Sequence, residues 1–262
     1  MKLHHIAGVV ALLGLAGAAQ ADGFANGGFE SGSTSGWVTG GGYRGGSPNA
    51  AITPADFLPG GALNQDGGER GAVIDKGYVD ANVGGLLGST VLNGNYAYRA
   101  ENTSSGGFGT AISQQVKNYT DSDIYFGWKA VLENGGHAED ESAVMMLTLT
   151  DNTTGKLVLS RTYNAGDGGG GVDGRFMSAG EFFYTPQWQI EKLSIDQSLS
   201  GHDFTLSLLA ADCEPTGHTG YAYLDGFGAY VPPVPEPETY GMLLAGLGML
   251  GLVARRKNSS AA

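Results

Sequence analysis

Cys213 and His218 are the residues whose types and spacing could most readily support chemistry in this chain of 262 residues. A thiol and an imidazole five positions apart are half of a zinc site at best. A nucleophilic cysteine would also need a base, an orienting group and an oxyanion site, and the sequence shows no recognisable set. We therefore interpret Cys213 as a small buried side chain and His218 as part of a tight turn.

Two acidic segments could in principle bind a cation. Residues 167–174 (DGGGGVDG) match neither the EF-hand spacing nor a repeated calcium-binding nonapeptide, and residues 137–141 (HAEDE) read as a solvated acidic stretch between two strands. We expect both to be surface loops. The sequence contains no nucleophile elbow, phosphate loop or His-Glu-x-x-His motif, so we expect no enzymatic activity.

Aromatic side chains are the remaining candidates for ligand binding, because an exposed ring can stack on a sugar. Tyr43 lies within the glycine-rich stretch GGYRGG and is the best exposed candidate for a ligand-binding residue. We expect Trp128 and Trp188, which are flanked by apolar strand residues, to fill the core. The other candidates are Trp37, Tyr221 and Tyr223.

The composition excludes several classes of protein. There are 46 glycines without a collagen period, and aromatic residues are too frequent for an acidic disordered tail. The chain carries 26 acidic residues against 14 basic ones and a formal net charge of −12, which argues against nucleic acid as a partner. One cysteine cannot form an intramolecular disulfide.

The pattern between residues 22 and 230 predicts a single all-β domain, a β-sandwich or jelly roll with long glycine-rich loops. Apolar and polar residues alternate in short runs, and the loop 151–155 (DNTTG) between two of these runs predicts a hairpin. The expected strands cover residues 124–132, 143–150, 156–163, 188–195, 204–210 and 221–230. The expected loops are 40–46, 60–71 and 166–174.

The N-terminus has the pattern of a secretory signal peptide. Lys2 precedes an uncharged apolar run over residues 6–19, and the small residues Ala19 and Ala21 form a cleavage site. We expect residues 1–21 to be removed and the mature chain to be exported. A buried N-terminal helix is the alternative.

The C-terminus contains three features in a fixed order. Residues 231–239 (VPPVPEPET) are a stiff proline segment, residues 240–254 are an uncharged run, and residues 255–262 begin with two arginines and a lysine. Fifteen helical residues span about 22 Å, which is short for a bilayer but workable with polar ends. We expect a membrane helix whose basic tip stays in the cytoplasm. An ordinary single-span anchor is the alternative.

This order resembles the PEP-CTERM protein-sorting signal, also known as the ice-binding-protein C-terminal domain. The core of the motif matches Val234, Pro235, Glu236 and Pro237. The resemblance implies an exosortase-type enzyme that removes the tail. It also implies a Gram-negative bacterium, with the protein held transiently in the inner membrane and then delivered to the cell envelope, cell surface or extracellular polysaccharide matrix.

Residues 26–37 (NGGFESGSTSGW) resemble the first strand of galactose-binding-like jelly rolls, a group that includes several carbohydrate-binding modules. In such modules a Glu after the Phe and an Asp in the final strand hold a structural calcium, and the matching residues are Glu30 and Asp225. Carboxylates suit this cation, which takes six to eight oxygen ligands. The alternative is two exposed carboxylates that lie close by chance.

We expect an exported, non-enzymatic protein with a structural or adhesive role in a polysaccharide matrix. A carbohydrate-binding module is the first alternative and a secreted hydrolase the second. A hydrolase would need a pocket that brings two carboxylates about 5 to 9 Å apart.

Overall fold

The computed structural model describes residues 23–228. They all fall in the first of the two units into which the chain divides, 1–229 and 230–262. Among residues 23–228, no helix is both long enough and apolar enough to cross a bilayer. The expected signal peptide and the expected proline segment, membrane helix and basic tip lie outside the described residues.

Twelve strands form two antiparallel sheets in this part of the chain. The five-stranded sheet has the order β1-β4-β11-β6-β7, and its strands are β1 (Val38–Tyr43), β4 (Phe108–Tyr119), β11 (His202–Ala211), β6 (Val144–Asp151) and β7 (Lys156–Asn164). The other strands are β2 (Ala72–Asp75), β3 (Tyr96–Ala100), β5 (Asp123–Glu133), β8 (Met177–Ala179), β9 (Phe182–Tyr184), β10 (Gln189–Ser194) and β12 (Gly220–Asp225). These form the seven-stranded sheet, in the order β2-β3-β12-β5-β9-β8 with β10 also on β5.

The two sheets face each other across one apolar core. Alternate residues of β6 and β11, such as Leu147 and Leu208, meet Trp128 of β5 and Leu224 of β12 in a single buried cluster. This two-residue period is the signature of strands that bury one face. The predicted sandwich is therefore confirmed.

Each sheet is also partly covered on its outer face. Over the five-stranded sheet lies a short helix, α1 (Pro54–Phe57), whose Phe57 is buried with Ile52 against Leu209 and Met146. Over the seven-stranded sheet lies the segment 76–92, with Val83 and Leu87 packed on Tyr221 and Tyr223. The 3-10 turns are Asn49–Ala51, Gly84–Leu87 and Asp167–Gly169.

The first expected glycine loop is wrong in part, because Gly40, Gly41 and Gly42 belong to strand β1. A Cβ on Gly41 would lie 2.6 Å from the carbonyl oxygen of Gly68, and one on Gly40 would lie 2.7 Å from Nδ2 of Asn64. The segment 64–68 of the same chain passes so close to this strand that no side chain fits there.

The segment 26–37 is not a strand either, and β1 begins only at Val38. Asn26 and Phe29 have positive φ values of 51° and 57°. Phe29 is fully buried between the rings of Trp37 and Tyr98. This irregular segment closes one end of the core with stacked aromatic rings.

Candidate functional site

An open groove of about 280 Å³ lies on the outer face of the five-stranded sheet. Its floor comes from β6, β7 and β11, and one wall comes from the start of α1. The lining residues are Thr53, Pro54, Ala55, Met146, Thr148, Thr150, Leu157, Thr162 and Ser207. This groove is the candidate binding site of the described chain.

Helix α1 is fixed at the rim by a capping box. The side-chain carboxylate of Asp56 accepts hydrogen bonds from the backbone N–H of Thr53 at 2.7 Å and from its hydroxyl at 2.6 Å. Pro54 at the first helical position has the φ value that a helix requires. Phe57 then anchors the helix in the cluster below, where Gly109 leaves room for its ring.

A β-bulge shapes the opposite side of the groove. Leu149 pairs with Leu159 but the next residue, Thr150, pairs with Leu157, so Val158 is the extra residue of β7. Such a bulge re-aims the side chains beside it. Leu157 consequently lines the groove and is 57% exposed.

Three hydroxyl groups in the groove are free to bind a ligand. Within residues 23–228, the hydroxyls of Thr148, Thr150 and Thr162 make no hydrogen bond to the protein. The hydroxyl of Ser207 is instead shared with Ser113 at 2.9 Å. The groove lining contains no carboxylate, imidazole, amine or thiol. It can hold a ligand by hydrogen bonds and apolar contact, but it offers no group for acid–base chemistry.

The structure places Tyr43, the predicted ligand-binding residue, at the end of β1, where its ring is 38% exposed. It packs edge-on against Phe108, with ring centroids 5.6 Å apart. Because β1 and the groove strands stand on opposite sides of β4 in the sheet order, Tyr43 does not contribute to the groove. Its binding role stays a prediction.

The other aromatic candidates are buried or half-buried in the fold. Trp37, Trp128, Tyr221 and Tyr223 are buried, and Trp188 is half-buried with its indole N–H donating to the carbonyl of Ser89 at 3.0 Å. None of the five lines the groove.

Glu30 and Asp225 are brought to neighbouring positions by the segment 92–96. One oxygen of Asp225 accepts the backbone N–H groups of Leu92 and Asn93 at 2.8 and 3.0 Å. One oxygen of Glu30 accepts those of Asn95 and Tyr96 at 2.9 and 3.1 Å. The structure therefore satisfies both carboxylates with backbone donors.

The environments of the two carboxylates nevertheless differ. Burial raises the pKa of Asp225 to about 7, with Glu30 adding to the effect and backbone hydrogen bonds opposing it. Desolvation raises the pKa of Glu30, but the hydrogen bonds from Asn95 and Tyr96 outweigh it and bring this pKa below the usual value. Calcium at this pair stays a prediction.

The remaining predicted segments lie outside the groove. Glu139, Asp140 and Glu141 are exposed in the connection from β5 to β6, as expected, and Asp173 of the 167–174 loop pairs with Arg175 at 2.8 Å. Cys213 is fully buried, so its thiol is out of reach of a substrate.

The comparison with protein families identifies one feature of the chain. Residues 233–257 match the PEP-CTERM protein-sorting motif. The resemblance of the tail to this signal is thus confirmed. The motif indicates an exported protein that is transiently anchored in a membrane and sorted to the cell surface, and it implies processing by an exosortase.

Several solved structures are similar to the sandwich. TmCBM61 in complex with β-1,4-galactotriose has 13% identity and a TM-score of 0.36, over 79% of this chain and 97% of that one. CBM28, a module specific for non-crystalline cellulose, has 11% identity and a TM-score of 0.37, over 79% and 95%. The K2 cleaved adhesin domain of Lys-gingipain has 13% identity and a TM-score of 0.34, over 76% and 92%. At these identities the similarity concerns architecture alone. No protein of curated function matches the chain.

The groove itself was missed in the sequence. Its floor includes the segment Thr148-Leu149-Thr150, which has a hydroxyl residue at every second position of a buried strand. That pattern alone could have indicated a polar outer face. The helix wall could not be anticipated, because residues 53–57 are far from β6 in the chain.

Proposed function

We propose that this protein is an exported, non-enzymatic surface protein whose β-sandwich binds polysaccharide in the groove between α1 and strands β6, β7 and β11. The observation that carries the proposal is the lining of that groove. Three free hydroxyls stand beside exposed apolar surface, and no titratable side chain is present among the lining residues.

A sugar chain matches this lining chemically. Each Ser or Thr hydroxyl can donate one hydrogen bond and accept others, as each sugar hydroxyl can. Leu157 and Ala55, two exposed residues of the lining, offer apolar surface for the C–H faces of a pyranose ring. The groove is near the small end of the usual range for ligand pockets and is open, which suits a short stretch of a chain that continues beyond it.

The charge of the protein favours a neutral glycan. A formal net charge of −12 produces a repulsive potential for polyanions, including acidic polysaccharides. We therefore propose a neutral polysaccharide as the ligand, and a structural or adhesive role in the extracellular matrix of a Gram-negative bacterium.

A hydrolase finds less support. Glu101 and Asp212 are two of the buried carboxylates of the described chain with raised pKa values, and burial brings the pKa of Asp212 to about 7. Both side chains are fully buried and neither lines the groove. A polysaccharide bound at the surface would not reach them.

The test is a glycan array followed by calorimetry, using residues 22–230 and a double variant, Thr148→Val with Thr150→Val. We expect binding to a neutral glycan in the parent protein and a loss of at least about tenfold in affinity in the variant, because two hydrogen-bonding groups are lost. The matched control is Thr120→Val, at an exposed position between β4 and β5. Failure to bind any glycan, or equal affinity in the parent and the double variant, would contradict the proposal.

A further inference from the structure

Two histidines and the only cysteine of the chain converge at one end of the sandwich. His137 lies between β5 and β6, Cys213 follows β11, and His218 precedes β12. The ligand atoms Nε2 or Nδ1 of the histidines and Sγ of the cysteine all lie within 4.8 Å of one another. Cys213 and His218 are close in the sequence, but the sequence predicts only a solvated acidic loop around His137. Because 81 positions separate the two histidines, only the fold brings them together.

Two of the three separations between these atoms match those of ligands on one metal ion. Nε2 of His137 lies 3.1 Å from Nδ1 of His218, and Sγ of Cys213 lies 3.5 Å from that same nitrogen. With Zn–N near 2.05 Å and Zn–S near 2.3 Å, a tetrahedral zinc site requires about 3.3 Å between two nitrogens and about 3.6 Å between sulfur and nitrogen. Both observed distances agree with these values to a few tenths of an ångström.

Backbone groups hold the three side chains in this arrangement. The backbone N–H of His218 donates to the sulfur of Cys213 at 3.1 Å, and that of Cys213 donates to the carbonyl of His218 at 2.9 Å. The carbonyl of His137 accepts from the N–H of Asp167 at 2.8 Å. These backbone contacts fix the position of the sulfur and the orientation of the His218 ring.

Gly135 makes room for the ring of His218. A Cβ at position 135 would clash with the imidazole, because it would lie far inside van der Waals contact with Nδ1, Cε1 and Cγ. The histidine therefore keeps its orientation only while position 135 has no side chain. This gives a way to disturb the cluster without removing a ligand.

Burial and donor type indicate the metal. Cys213 is fully buried whereas both histidines are half-buried, so the cluster faces solvent on its histidine side, where a water could serve as the fourth ligand. One sulfur and two imidazole nitrogens suit borderline and soft cations, and they do not suit calcium or magnesium.

We propose that His137, Cys213 and His218 form a Zn²⁺ site that joins the β5–β6 connection to the turn between β11 and β12. The site is independent of the groove and of the proposed glycan. Bound zinc stabilises the folded chain, because the unfolded chain does not hold the three ligands together.

The proposal is tested on the full chain, purified in mild detergent and freed of metal. Zn²⁺ is titrated by calorimetry, and Co²⁺ is used as a spectroscopic probe. We expect one equivalent of zinc per chain, a rise in Tm with zinc, and a thiolate-to-cobalt charge-transfer band. Cys213→Ser should abolish that band, and together with His137→Gln it should weaken zinc binding at least about 100-fold, since loss of outer-shell partners alone costs 10- to 100-fold.

Two further variants keep the test independent of misfolding. Gly135→Ala retains all three ligands but displaces the ring of His218, so zinc binding should fall. Gly217→Ala, where a Cβ meets nothing within 4 Å, should bind as the parent does. If the parent binds no zinc at micromolar concentration, or if the ligand variants bind as tightly as Gly217→Ala, the three side chains are a hydrogen-bonded cluster only and the proposal is overturned.

Discussion

Lys129 is a cation buried on the outer side of the seven-stranded sheet. Its side chain is 1% exposed, and its ammonium donates to the carbonyl oxygens of Leu87 and Pro186. Among residues 23–228 it has no carboxylate in an ion pair. Burial therefore lowers the pKa of Lys129 to about 8.

This shift predicts a rise in stability at alkaline pH. The pKa in the folded chain, about 8, lies below the ordinary value of 10.5, so between these values the unfolded state binds more protons than the folded state. The contribution of Lys129 to the free energy of unfolding then increases as pH rises from about 8 toward 10.5, by up to about 3 kcal/mol. Above about pH 10 the buried tyrosines act in the opposite direction, because burial raises the pKa of Tyr98, Tyr221 and Tyr223 above the ordinary value. Urea denaturation across this range measures the increase.

Lys129→Met should abolish that alkaline increase, although it leaves two carbonyl groups without their donor and lowers stability at its maximum. Lys192→Met is the control, because Lys192 is exposed and pairs with Asp123 at the surface. An identical pH profile for the parent and Lys129→Met would show that the ammonium is not responsible.

At the scale of elements, one carboxylate adds to the contacts that attach the segment 76–92 to the seven-stranded sheet. Asp80 is buried and accepts the hydroxyl of Tyr221 at 2.9 Å and that of Tyr223 at 2.6 Å. It also accepts the backbone N–H groups of Asn82 and Val83. Four donors thus depend on a single side chain.

Asp80→Ala should destabilise the fold by about 3 kcal/mol or more, because several buried donors lose their acceptor at once. The loss is measured by urea denaturation, with Asp66→Ala at an exposed position as the control. Hydrogen exchange should show the largest loss of protection in residues 76–92. A change below about 1 kcal/mol would mean that water replaces the carboxylate and that the apolar contacts of Val83 and Leu87 fix the segment.

The elements that the sequence predicted are those with clear alternation. The hairpin of β6 and β7 was predicted within one residue at each end, and β5, β10 and β11 within two. The last strand ends earlier than expected, at Asp225, because its carboxylate turns to accept the N–H of Gly226.

The longest strand, β4, was missed for a physical reason. Its sequence, FGTAISQQVKNY, carries polar residues that the fold buries. Gln114 bonds the backbone of Ala25 and Gly36 with its amide, and Ser113 bonds Leu206. These partners are distant in the chain and cannot be anticipated from it. The buried polar residues also interrupt the alternation of apolar and polar residues by which a strand is predicted. The positions of His137 beside Cys213 and of α1 beside the groove were not predicted for the same reason, because their contacts are also distant in the chain.

At the scale of the whole molecule, the sorting motif and the sandwich occupy separate parts of the sequence. Among residues 23–228, the buried clusters extend from residue 24 to residue 227, whereas the motif occupies 233–257. We therefore expect the sandwich to fold without the tail.

Deleting residues 234–257 should change the destination of the protein and leave its folding intact. We expect equal thermal unfolding for the parent and the truncated chain, and loss of the membrane-anchored precursor in cell fractionation. A tail of equal length with the residues from 234 to 237 changed to alanine is the control for the motif itself. If the truncated protein still reached the same place, sorting would depend on the sandwich.

The position of β12 has a consequence for the order of folding. This last strand lies in the interior of its sheet, hydrogen-bonded to β3 on one side and β5 on the other. In a chain that emerges from a membrane with its N-terminus first, β3 and β5 must wait for residues 220–225, and pairings over such long sequence separations form slowly. Completion of the sheet should therefore coincide with the end of translocation, when only the few residues before the sorting motif remain to follow.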